Sequence, residues 1–223
     1  KNNTMGKKLL ISGGGRCNVT NNKLEVRDLI SSFKNKPKAL YSVFNQFDVS
    51  DALEFFNSHG METKIEENDR VFPVSNKSSS VLNVLTDYMN ENEVEIKTGA
   101  VILDITNNEE DKIITISTDN KTYKTKSCVM ATGGLSAPST GSTGDGYKWL
   151  NKLGHEIVDN SLALVPVALK DKWSKKLSGL VLEDIGISLW QGNKKKYDKR
   201  GKFLFTHFGA SGPTILNMSS TVG

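Results

Sequence analysis

Hydrophobic positions in the first quarter of the chain recur at the three-to-four-residue spacing that is typical of amphipathic helices. The pattern predicts three short helices. The first covers residues 24–33, and the second begins at Pro37 and carries Leu40 to Phe47. The third begins with Asp48 or Ser50 as its N-cap and stops at Gly60. Three short helices in succession indicate a helical excursion from a larger domain.

From residue 61 onward the pattern changes to alternating and continuous apolar runs, which favour strands. The predicted strands cover residues 61–66, 70–74, 94–96, 101–105, 113–116 and 122–125. A helix capped by Ser78, Ser79 or Ser80 is predicted after the strand 70–74, and a hairpin turn at Asp119-Asn120 is predicted between the strands 113–116 and 122–125. The apolar run Cys128 to Ala131 is typical of a strand buried on both faces of a parallel sheet. Leu9 to Ile11 is interpreted as another short strand, leading into a glycine loop.

The order of these elements indicates the later half of a nucleotide-binding α/β domain with a β-meander appended. A second region starts near Asp159. Within it, residues 165–168, 185–190 and 203–205 are predicted to be strands separated by basic loops. The fold class expected from the pattern is therefore α/β, with parts that are α+β.

Composition narrows the class of protein only modestly. The 223 residues are 37% apolar and 24% charged, which is ordinary for a globular protein. We expect neither a signal peptide nor a membrane partner, since no apolar run approaches the roughly 20 residues that span a bilayer. The isolated Cys17 and Cys128 favour reduced thiols in the cytoplasm over a disulfide or a zinc site.

A glycine loop, Ser12-Gly13-Gly14-Gly15-Arg16-Cys17-Asn18, follows the apolar run Leu9 to Ile11. Adjacent glycines let backbone N–H groups approach a phosphate or an aromatic ring system closely. The dinucleotide fingerprint G-x-G-x-x-G fails here, because Asn18 stands at the third glycine position. A flexible turn is the alternative interpretation.

Two further glycine loops strengthen the prediction of a ligand. The loop from Gly141 to Lys148 departs from the P-loop pattern but leads into a predicted helix, whose N-terminus could face an anion. Simple capping by Thr143 or Asp145 is the alternative. The segment Ala131-Thr132-Gly133-Gly134 closes the predicted buried strand, and ligands of open α/β sheets bind at such strand ends. Together the three loops predict one large, flat, phosphate-bearing ligand.

The segment from Lys7 to Asn21, which contains the first glycine loop, resembles the signature of a bacterial flavoprotein family variously labelled HI0933-like, BaiN-like or aminoacetone-oxidase-like. Later segments resemble other motifs of that family, in the same order: Arg70–Ser75, Ala131–Pro138, Gly141–Tyr147 and Thr206–Pro213. The resemblance covers nearly the whole chain.

The resemblance implies FAD as the cofactor and a two-electron redox reaction on a small-molecule substrate, with a link to NAD(P)H left open. It implies an incomplete FAD-binding Rossmann-like domain over residues 1–158 and the start of an inserted, mainly-β, substrate-side domain over residues 159–223. The implied cofactor contacts are Ser12, Gly13, Gly14, Gly15, Arg16, Cys17 and Asn18 on the flavin side, the backbone of Val101 at the adenine end, Ala131, Thr132, Gly133 and Gly134 near the pyrophosphate and ribityl, and Thr143, Gly144 and Asp145 at the flavin ring or its polar edge.

Two parts of the family pattern are not found in the sequence. The opening strand with its G-x-G-x-x-G loop is expected before Lys1, and a final segment with further cofactor contacts is expected after Gly223. We therefore expect an internal fragment that binds FAD weakly and is inactive by itself. A smaller departure is Asn68-Asp69 before Arg70, where the family usually has a glycine.

Two side chains are candidates for catalysis. Arg16 could stabilise reduced flavin or an anionic substrate, and His207 could act as an acid or a base; a structural role is the alternative for each. Cys17 is interpreted as a packed residue rather than a redox-active one. Arg70 could contact the substrate or could hold a loop in place, and the sequence does not distinguish these two roles.

A basic cluster lies between the last two predicted strands and contains Lys194, Lys195, Lys196, Lys199, Arg200 and Lys202. It follows Gly192-Asn193 and is interpreted as an exposed, solvated hairpin tip, so no nucleic-acid partner is expected. The alternative hypothesis, from another class of function, is a non-catalytic nucleic-acid-binding module that uses the hairpin 194–202.

Overall fold

The computed structural model describes residues 1–33, 38–158, 164–219 and 221–222. They form two compact units, unit 1 (Lys1–Ile157) and unit 2 (Val158–Gly223). The predicted helix start at Pro37 and the predicted boundary at Asp159 lie outside the described residues.

Helices make up much of unit 1, and their bounds are α1 (Lys7–Ile11), α2 (Val26–Ser31), α3 (Ala39–Phe44), α4 (Val49–Ser58), α5 (Ser78–Glu91) and α6 (Asp145–Lys152). Helix α4 shows how local sequence sets a boundary. The Asp48 carboxylate accepts hydrogen bonds from the amides of Ser50 and Asp51, while the Asp51 carboxylate accepts one from the Asp48 amide at 2.7 Å. The helix ends before Gly60, which adopts a φ of +79°. The predicted succession of three short helices is confirmed in α2, α3 and α4.

Two antiparallel sheets complete unit 1. The strands β1 (Thr20–Asn21), β2 (Thr63–Glu66) and β3 (Arg70–Pro73) pair in the order β1-β3-β2, and β4 (Ile102–Asn108), β5 (Ile113–Thr118) and β6 (Thr122–Thr125) pair in the order β4-β5-β6. The strands predicted over residues 61–66 and 70–74 are confirmed as β2 and β3, which pair with each other so that Ile65 lies opposite Val71. The predicted hairpin around Asp119-Asn120 is confirmed as β5–β6.

The apolar run Leu9 to Ile11 is helical, which corrects the prediction of a strand. The Leu10 amide donates to the Gly6 carbonyl at 2.8 Å, and Leu9 packs on the core of unit 1, whereas Ile11 is 60% exposed. One helical turn thus turns one apolar side chain inward and one outward. The start of α5 also differs from the prediction: Ser78 does not cap the helix but donates its hydroxyl to the Leu10 carbonyl at 2.9 Å, at the end of α1.

The run from Cys128 to Ala131 is not a strand in the structure, contrary to the prediction. Val129 is 89% exposed, and none of the described strands pairs with this segment. A buried parallel strand needs a ladder partner on each side, and the described strands of unit 1 pair only in the two antiparallel sheets. The predicted strand over residues 94–96 is likewise absent from the described elements, and Val94 is half-exposed.

The hydrophobic core of unit 1 forms where α1, α4 and α5 meet the chain around the first sheet. Its buried side chains are Cys17, Phe56, Met61, Val81 and Val84, with Leu9, Val19, Phe55 and Leu85 packed against them. Core packing therefore fixes the position of the glycine loop at both ends, through Leu9 before it and Cys17 within it.

Unit 2 is a four-stranded antiparallel sheet with one helix packed on it. Its elements are β7 (Val167–Ala168), α7 (Lys172–Lys175), β8 (Val181–Gln191), β9 (Lys194–Phe205), β10 (Gly209–Ser211) and α8 (Pro213–Ser219), and the strand order is β7-β10-β9-β8. The core contains Ile187, Ala210, Ile215 and Met218. The basic cluster forms strand β9 itself, so the prediction of a loop-like basic tip is wrong; only Gly192 and Asn193 make the turn.

Helices and sheets are mixed in the chain, which confirms the predicted α/β class at that level. No helix within the described ranges is both long enough and apolar enough to cross a membrane.

Candidate functional site

A cleft of about 610 Å³ lies in unit 1 beside the N-terminal end of α6. Its walls come from the chain start, the beginning of β4 and the glycine loops, and its lining residues are Lys1, Asn2, Ala100, Val101, Ile102, Leu103, Thr132, Gly141, Thr143, Asp145, Lys148 and Trp149. Four residues of the predicted cofactor set therefore meet here, namely Val101, Thr132, Thr143 and Asp145.

A charged cluster occupies one wall of this cleft. The Lys1 ammonium lies 2.7 Å from the Asp145 carboxylate, and the Thr143 hydroxyl donates to the same carboxylate at 2.7 Å; Lys1 also donates to the Thr143 hydroxyl. The hydrogen bonds from Lys1 and then Thr143 hold the pKa of the Asp145 carboxyl below its usual range. Lys148, one turn along α6, places its ammonium 4.0 Å from the carboxylate, and its side chain is 79% exposed. The wall thus presents the Asp145 carboxylate, held by Lys1 and Thr143, beside the exposed ammonium of Lys148.

The glycines of this region allow two parts of the chain to touch. A Cβ on Gly133 would lie 2.7 Å from the Ser142 hydroxyl, and one on Gly146 would overlap the Thr132 side chain. Gly144 precedes α6 with a φ of +76°, a conformation that L side chains rarely adopt. The glycines therefore keep the 131–135 segment against the start of α6, and this packing shapes the cleft.

Val101, whose backbone is the implied contact for the adenine end of FAD, lines the cleft. Its amide donates to the Asp119 carboxylate at 3.3 Å, and its carbonyl accepts from the Asp119 amide at 3.1 Å. These two bonds fix the backbone at this position, and the side chain is half-exposed.

Lys8 links the first glycine loop to the later ones. It extends from α1 and donates from its ammonium to the Ser136 carbonyl and to the hydroxyl of the buried Ser142, both at 2.5 Å. The two hydrogen bonds fasten the 136–142 segment to the helix that immediately precedes Ser12. The glycine loop and the cleft are therefore parts of one connected region of unit 1.

The glycine loop is a tight left-handed turn. Gly13 and Gly14 have φ values of +56° and +67°, and Cys17, with a φ of +59°, closes the turn by donating its amide to the Ser12 carbonyl at 3.1 Å. A Cβ on Gly14 would meet nothing within 4 Å, so its face is open to solvent. The exposed Asn18 follows. The loop can admit a ligand, but no residue of it lines the cleft.

Arg16, a candidate for catalysis, forms its side-chain contacts with other residues of unit 1. Its guanidinium donates to both Glu66 oxygens at 2.9 and 3.0 Å and lies 4.0 Å from the centre of the Phe72 ring. The bond from Arg16, with a smaller contribution from Lys64, lowers the pKa of the Glu66 carboxyl. The geometry favours a role in bracing the loop against the first sheet. Cys17 is buried in the core, which supports its interpretation as a packed residue.

His207, the other catalytic candidate, lies in unit 2, between β9 and β10. Its ring is exposed and stacks edge-to-face on Phe208 at 4.8 Å, and no described residue is recorded as its hydrogen-bond partner. The structure therefore places it in a different unit from the cleft. Arg70, which the sequence left open, supports a turn: its Nε donates to the Glu67 carbonyl at 3.0 Å.

The predicted cofactor contacts did not include the other residues of the cleft, which are Lys1, Asn2, Ala100, Ile102, Leu103, Gly141, Lys148 and Trp149. Gly141 and Lys148 nevertheless belong to a glycine loop that the sequence singled out. Lys148 and Trp149 follow Asp145 by three and four residues on α6, so helical spacing from the predicted loop could have found them. Lys1 and Asn2 belong to no motif, and only the folded chain brings them to the loop. Within the described residues, no group of three or more potential metal ligands occurs together.

The residues of the cleft fit a dinucleotide cofactor. Its volume of about 610 Å³ lies in the range of roughly 300–1,000 Å³ that is common for ligand pockets. Val101 and Trp149 offer apolar surface for a ring, the Lys148 ammonium suits a phosphate, and the Asp145 carboxylate can accept hydrogen bonds from sugar hydroxyls.

Comparison with known proteins gives a consistent assignment. A family model described as HI0933-like protein Rossmann domain matches residues 1–218. The chain is 30% identical over 215 residues to the 3-dehydro-bile acid delta(4,6)-reductase of Clostridium scindens, an alignment that covers 96% of this chain and 51% of that protein.

Two further relatives share another name. The chain is 29% identical over 215 residues to the ribosomal RNA dihydrouridine synthase of Escherichia coli, covering 96% of this chain and 52% of that protein. It is 26% identical over 220 residues to the protein of that name from Haemophilus influenzae, covering 97% and 53%. The chain thus spans about half the length of the curated relatives it matches.

Proposed function

This chain belongs to the HI0933-like family, and we propose that it contributes FAD-contacting residues to an oxidoreductase that reduces a carbon–carbon double bond of its substrate. The observation that carries the proposal is the cleft beside α6, where apolar, cationic and carboxylate groups suited to a dinucleotide line one cavity. Membership in the family supports the flavin at the level of the family.

The names of the relatives support a double bond as the reacting group. One is called a delta(4,6)-reductase, and the others are called dihydrouridine synthases, a name for a product with two more hydrogens than uridine. In such a reduction one carbon receives a hydride, the other receives a proton, and the double bond becomes single. Hydride adds to a double bond that a conjugated carbonyl group polarises. We therefore propose an unsaturated carbonyl compound as the class of substrate.

The residues of the chain have binding and positioning roles in this proposal. The flavin, when bound and reduced, would supply two electrons to the substrate, and a reduced nicotinamide is the class of donor that we propose for reducing it again. Lys1 and Thr143 lower the pKa of the Asp145 carboxyl and so favour its carboxylate form, which accepts hydrogen bonds from sugar hydroxyls. Lys148 neutralises phosphate charge, and Arg16 keeps the glycine loop on the first sheet through Glu66.

Flavin binding by the purified full-length gene product tests the cofactor. We expect absorption at about 450 nm and release of FAD on denaturation. Asp145→Asn keeps the shape of the side chain but removes its charge, so the Kd for FAD should rise about tenfold, in line with a charge-assisted hydrogen bond. Asp111→Asn, in the turn between β4 and β5, makes the same chemical change outside the cleft and should leave the Kd unchanged. A protein that takes up no FAD contradicts the proposal.

Turnover tests the reaction. The chemically reduced, oxygen-free full-length gene product is mixed either with a steroid enone or with RNA that contains uridine, and the products are examined by mass spectrometry. We expect a gain of two hydrogen atoms in one of the two substrates, with one flavin reoxidised for each product formed. Flavin that is reoxidised only by oxygen, with neither substrate hydrogenated, would show that the enzyme is an oxidase instead.

A further inference from the structure

The positive charge of the chain is concentrated in unit 2. Residues 158–223 contain ten Lys or Arg and five Asp or Glu, whereas residues 1–157 contain nineteen and twenty. The net charge of +4 is therefore the sum of −1 in unit 1 and +5 in unit 2. An asymmetry of this kind indicates a polyanionic partner for the basic part.

The β8–β9 hairpin has one face in the core and one in solvent. Ile185, Ile187, Leu189, Tyr197 and Phe203 belong to the core cluster of unit 2 or pack against it. Side chains alternate between the faces of a strand. The outer face therefore carries Gly186 opposite Arg200 and Ser188 opposite Asp198. After a register shift between Leu189 and Trp190, it also carries Trp190 opposite Lys195.

Cations outnumber carboxylates on this hairpin. The three carboxylates are paired: Glu183 with Lys202 at 2.9 Å, Asp184 with Arg200 at 2.8 Å, and Asp198 with Lys195 at 3.0 Å. Among the described residues, the exposed Lys194, Lys196 and Lys199 have no such partner. Lys194 and Lys196 lie next to the turn, so the excess positive charge concentrates at that end of the hairpin.

Trp190 places an aromatic ring among these cations. Its side chain is 56% exposed, and the Lys195 ammonium lies 5.4 Å from the centre of its ring. A large apolar ring left in solvent on a strand whose other face is buried gains nothing for the fold from its exposed area. An exposed indole beside lysines is instead the combination that stacks on a nucleobase while cations contact the neighbouring phosphates.

We propose that the outer face and turn end of the β8–β9 hairpin bind an unpaired segment of RNA, with Trp190 stacking on a base and Lys194 and Lys196 contacting phosphates. The inference rests on the proposed function, since it makes RNA the molecule that carries the double bond to the flavin. It replaces the interpretation of the basic cluster as a merely solvated tip, because three of its six cations are engaged with carboxylates, whereas Lys194 and Lys196 are not and lie at the turn end, next to the pair of Trp190 and Lys195.

An anionic membrane is the other polyanion that such a face could meet. Interfacial binding to a bilayer relies on a row of apolar side chains that enter the lipid. The outer face presents one aromatic ring between polar positions, Ser188 and the Lys195–Asp198 pair. Single bases of an unpaired strand match one ring between charges better than a lipid surface does.

Binding of a fluorescein-labelled oligouridylate to the purified protein, measured by anisotropy over a series of salt concentrations, tests the proposal. Trp190→Ala should raise the Kd about tenfold at constant salt, because a stacking partner is lost. Replacing Lys194 and Lys196 by alanine should weaken binding and make the slope of log K against log salt less steep by about 1.4, for two phosphate contacts with a single strand.

Matched controls separate this face from the rest of the molecule. Trp173→Ala removes another exposed indole of unit 2, on α7, and replacing Lys121 and Lys124 removes two cations of unit 1. Both should bind the oligouridylate as the unaltered protein does. The FAD content of every variant is measured in parallel and should be unchanged, so that failure of RNA binding is distinct from failure of the flavin proposal.

Three outcomes would overturn the inference. One is equal affinity of the Trp190 and lysine variants and the unaltered protein for the oligouridylate. Another is loss of affinity in the controls to the same extent. The last is tighter binding to phosphatidylserine-containing vesicles than to RNA, with the same dependence on Trp190, which would identify the face as a membrane surface.

Discussion

Gly209→Ala should separate β10 from β7 and so destabilise unit 2. Gly209 lies directly opposite Ala168 in the antiparallel pair, and a Cβ at this position would lie 2.7 Å from the Leu169 amide nitrogen, 2.9 Å from the Ala168 Cα and closer still to the Val167 carbonyl oxygen. All three are backbone atoms, so no side-chain rotation can relieve the overlap. The two strands must move apart instead.

The size of the effect follows from the distances. Ordinary contact between non-bonded heavy atoms is roughly 3.5–4.0 Å, so the strands must part by about 1 Å. A shift of that size breaks the bond from the Leu169 amide to the Phe208 carbonyl, now 3.2 Å, and weakens the adjoining ladder. Overpacking costs about 1–3 kcal/mol and each lost hydrogen bond about 1 kcal/mol, which together give about 2–4 kcal/mol.

Thermal denaturation followed by circular dichroism, together with hydrogen exchange of peptides from residues 164–219, measures the loss. A small unit loses about 4–8 °C in Tm per kcal/mol, so a fall of roughly 10 °C or more is expected in the transition of unit 2. Gly186→Ala is the matched control, because Gly186 lies in β8 of the same sheet and its Cβ would meet nothing within 4 Å. Glycine in a strand costs about 0.5–1 kcal/mol relative to alanine, so this variant should be neutral or slightly more stable. Equal Tm values for the two variants would refute the reasoning.

Three other predictions concern unit 1. Hydrogen bonds from Lys1 and Thr143 lower the pKa of the Asp145 carboxyl in the folded protein. The stability that Asp145 contributes is therefore complete above the ordinary pKa of an aspartate and is lost as the pH falls through the lowered pKa. An NMR titration of this carboxyl should show a midpoint below the ordinary value. Lys8→Met should remove both bonds to the 136–142 segment and increase hydrogen exchange there, with α4 unaffected. An aromatic disulfide reagent should modify the partly exposed Cys128 before the buried Cys17, and the reverse order would contradict the packed role of Cys17.

Elements with complete local signals could be predicted from the sequence. Helix α4 has its cap at Asp48 and its stop at Gly60 within the segment itself, and the β5–β6 hairpin has its turn at Asp119-Asn120 between two β-branched runs. In both, the interactions that set the boundaries join residues a few positions apart, so the pattern alone determines them.

Apolar runs without such signals could not be assigned correctly. Cys128 to Ala131 and Leu9 to Ile11 are both short, and a short apolar run is compatible with strand or helix until its neighbours are known. Leu9 is helical because the core around Cys17 and Val81 lies on one side of it. For Cys128 to Ala131, none of the described strands supplies a ladder. Distant contacts decide both cases.

The glycine loops of the candidate site could be predicted from the sequence, but the lysine that pairs with Asp145 could not. Thr143, Asp145 and Thr132 were found through the glycines beside them, whereas Lys1 reaches the cleft only through the fold. Two of the glycines also have a role in packing that the sequence did not indicate. Gly133 and Gly146 accommodate the side chains of Ser142 and Thr132, and this close packing helps to shape the cleft.

The side chain of Lys8, which lies outside the glycine loops, connects the first of them to the segments that shape the cleft. Lys8 lies four residues before Ser12 and donates hydrogen bonds to the Ser136 carbonyl, after the loop that ends at Gly134, and to the Ser142 hydroxyl, in the loop that begins at Gly141. Arg16, after the glycines, is held by Glu66 in β2. The loop is therefore anchored on one side to the segments that shape the cleft and on the other to the first sheet. A ligand contacting Gly14 and one in the cleft would be held by the same connected frame, which is what a single extended cofactor such as FAD requires.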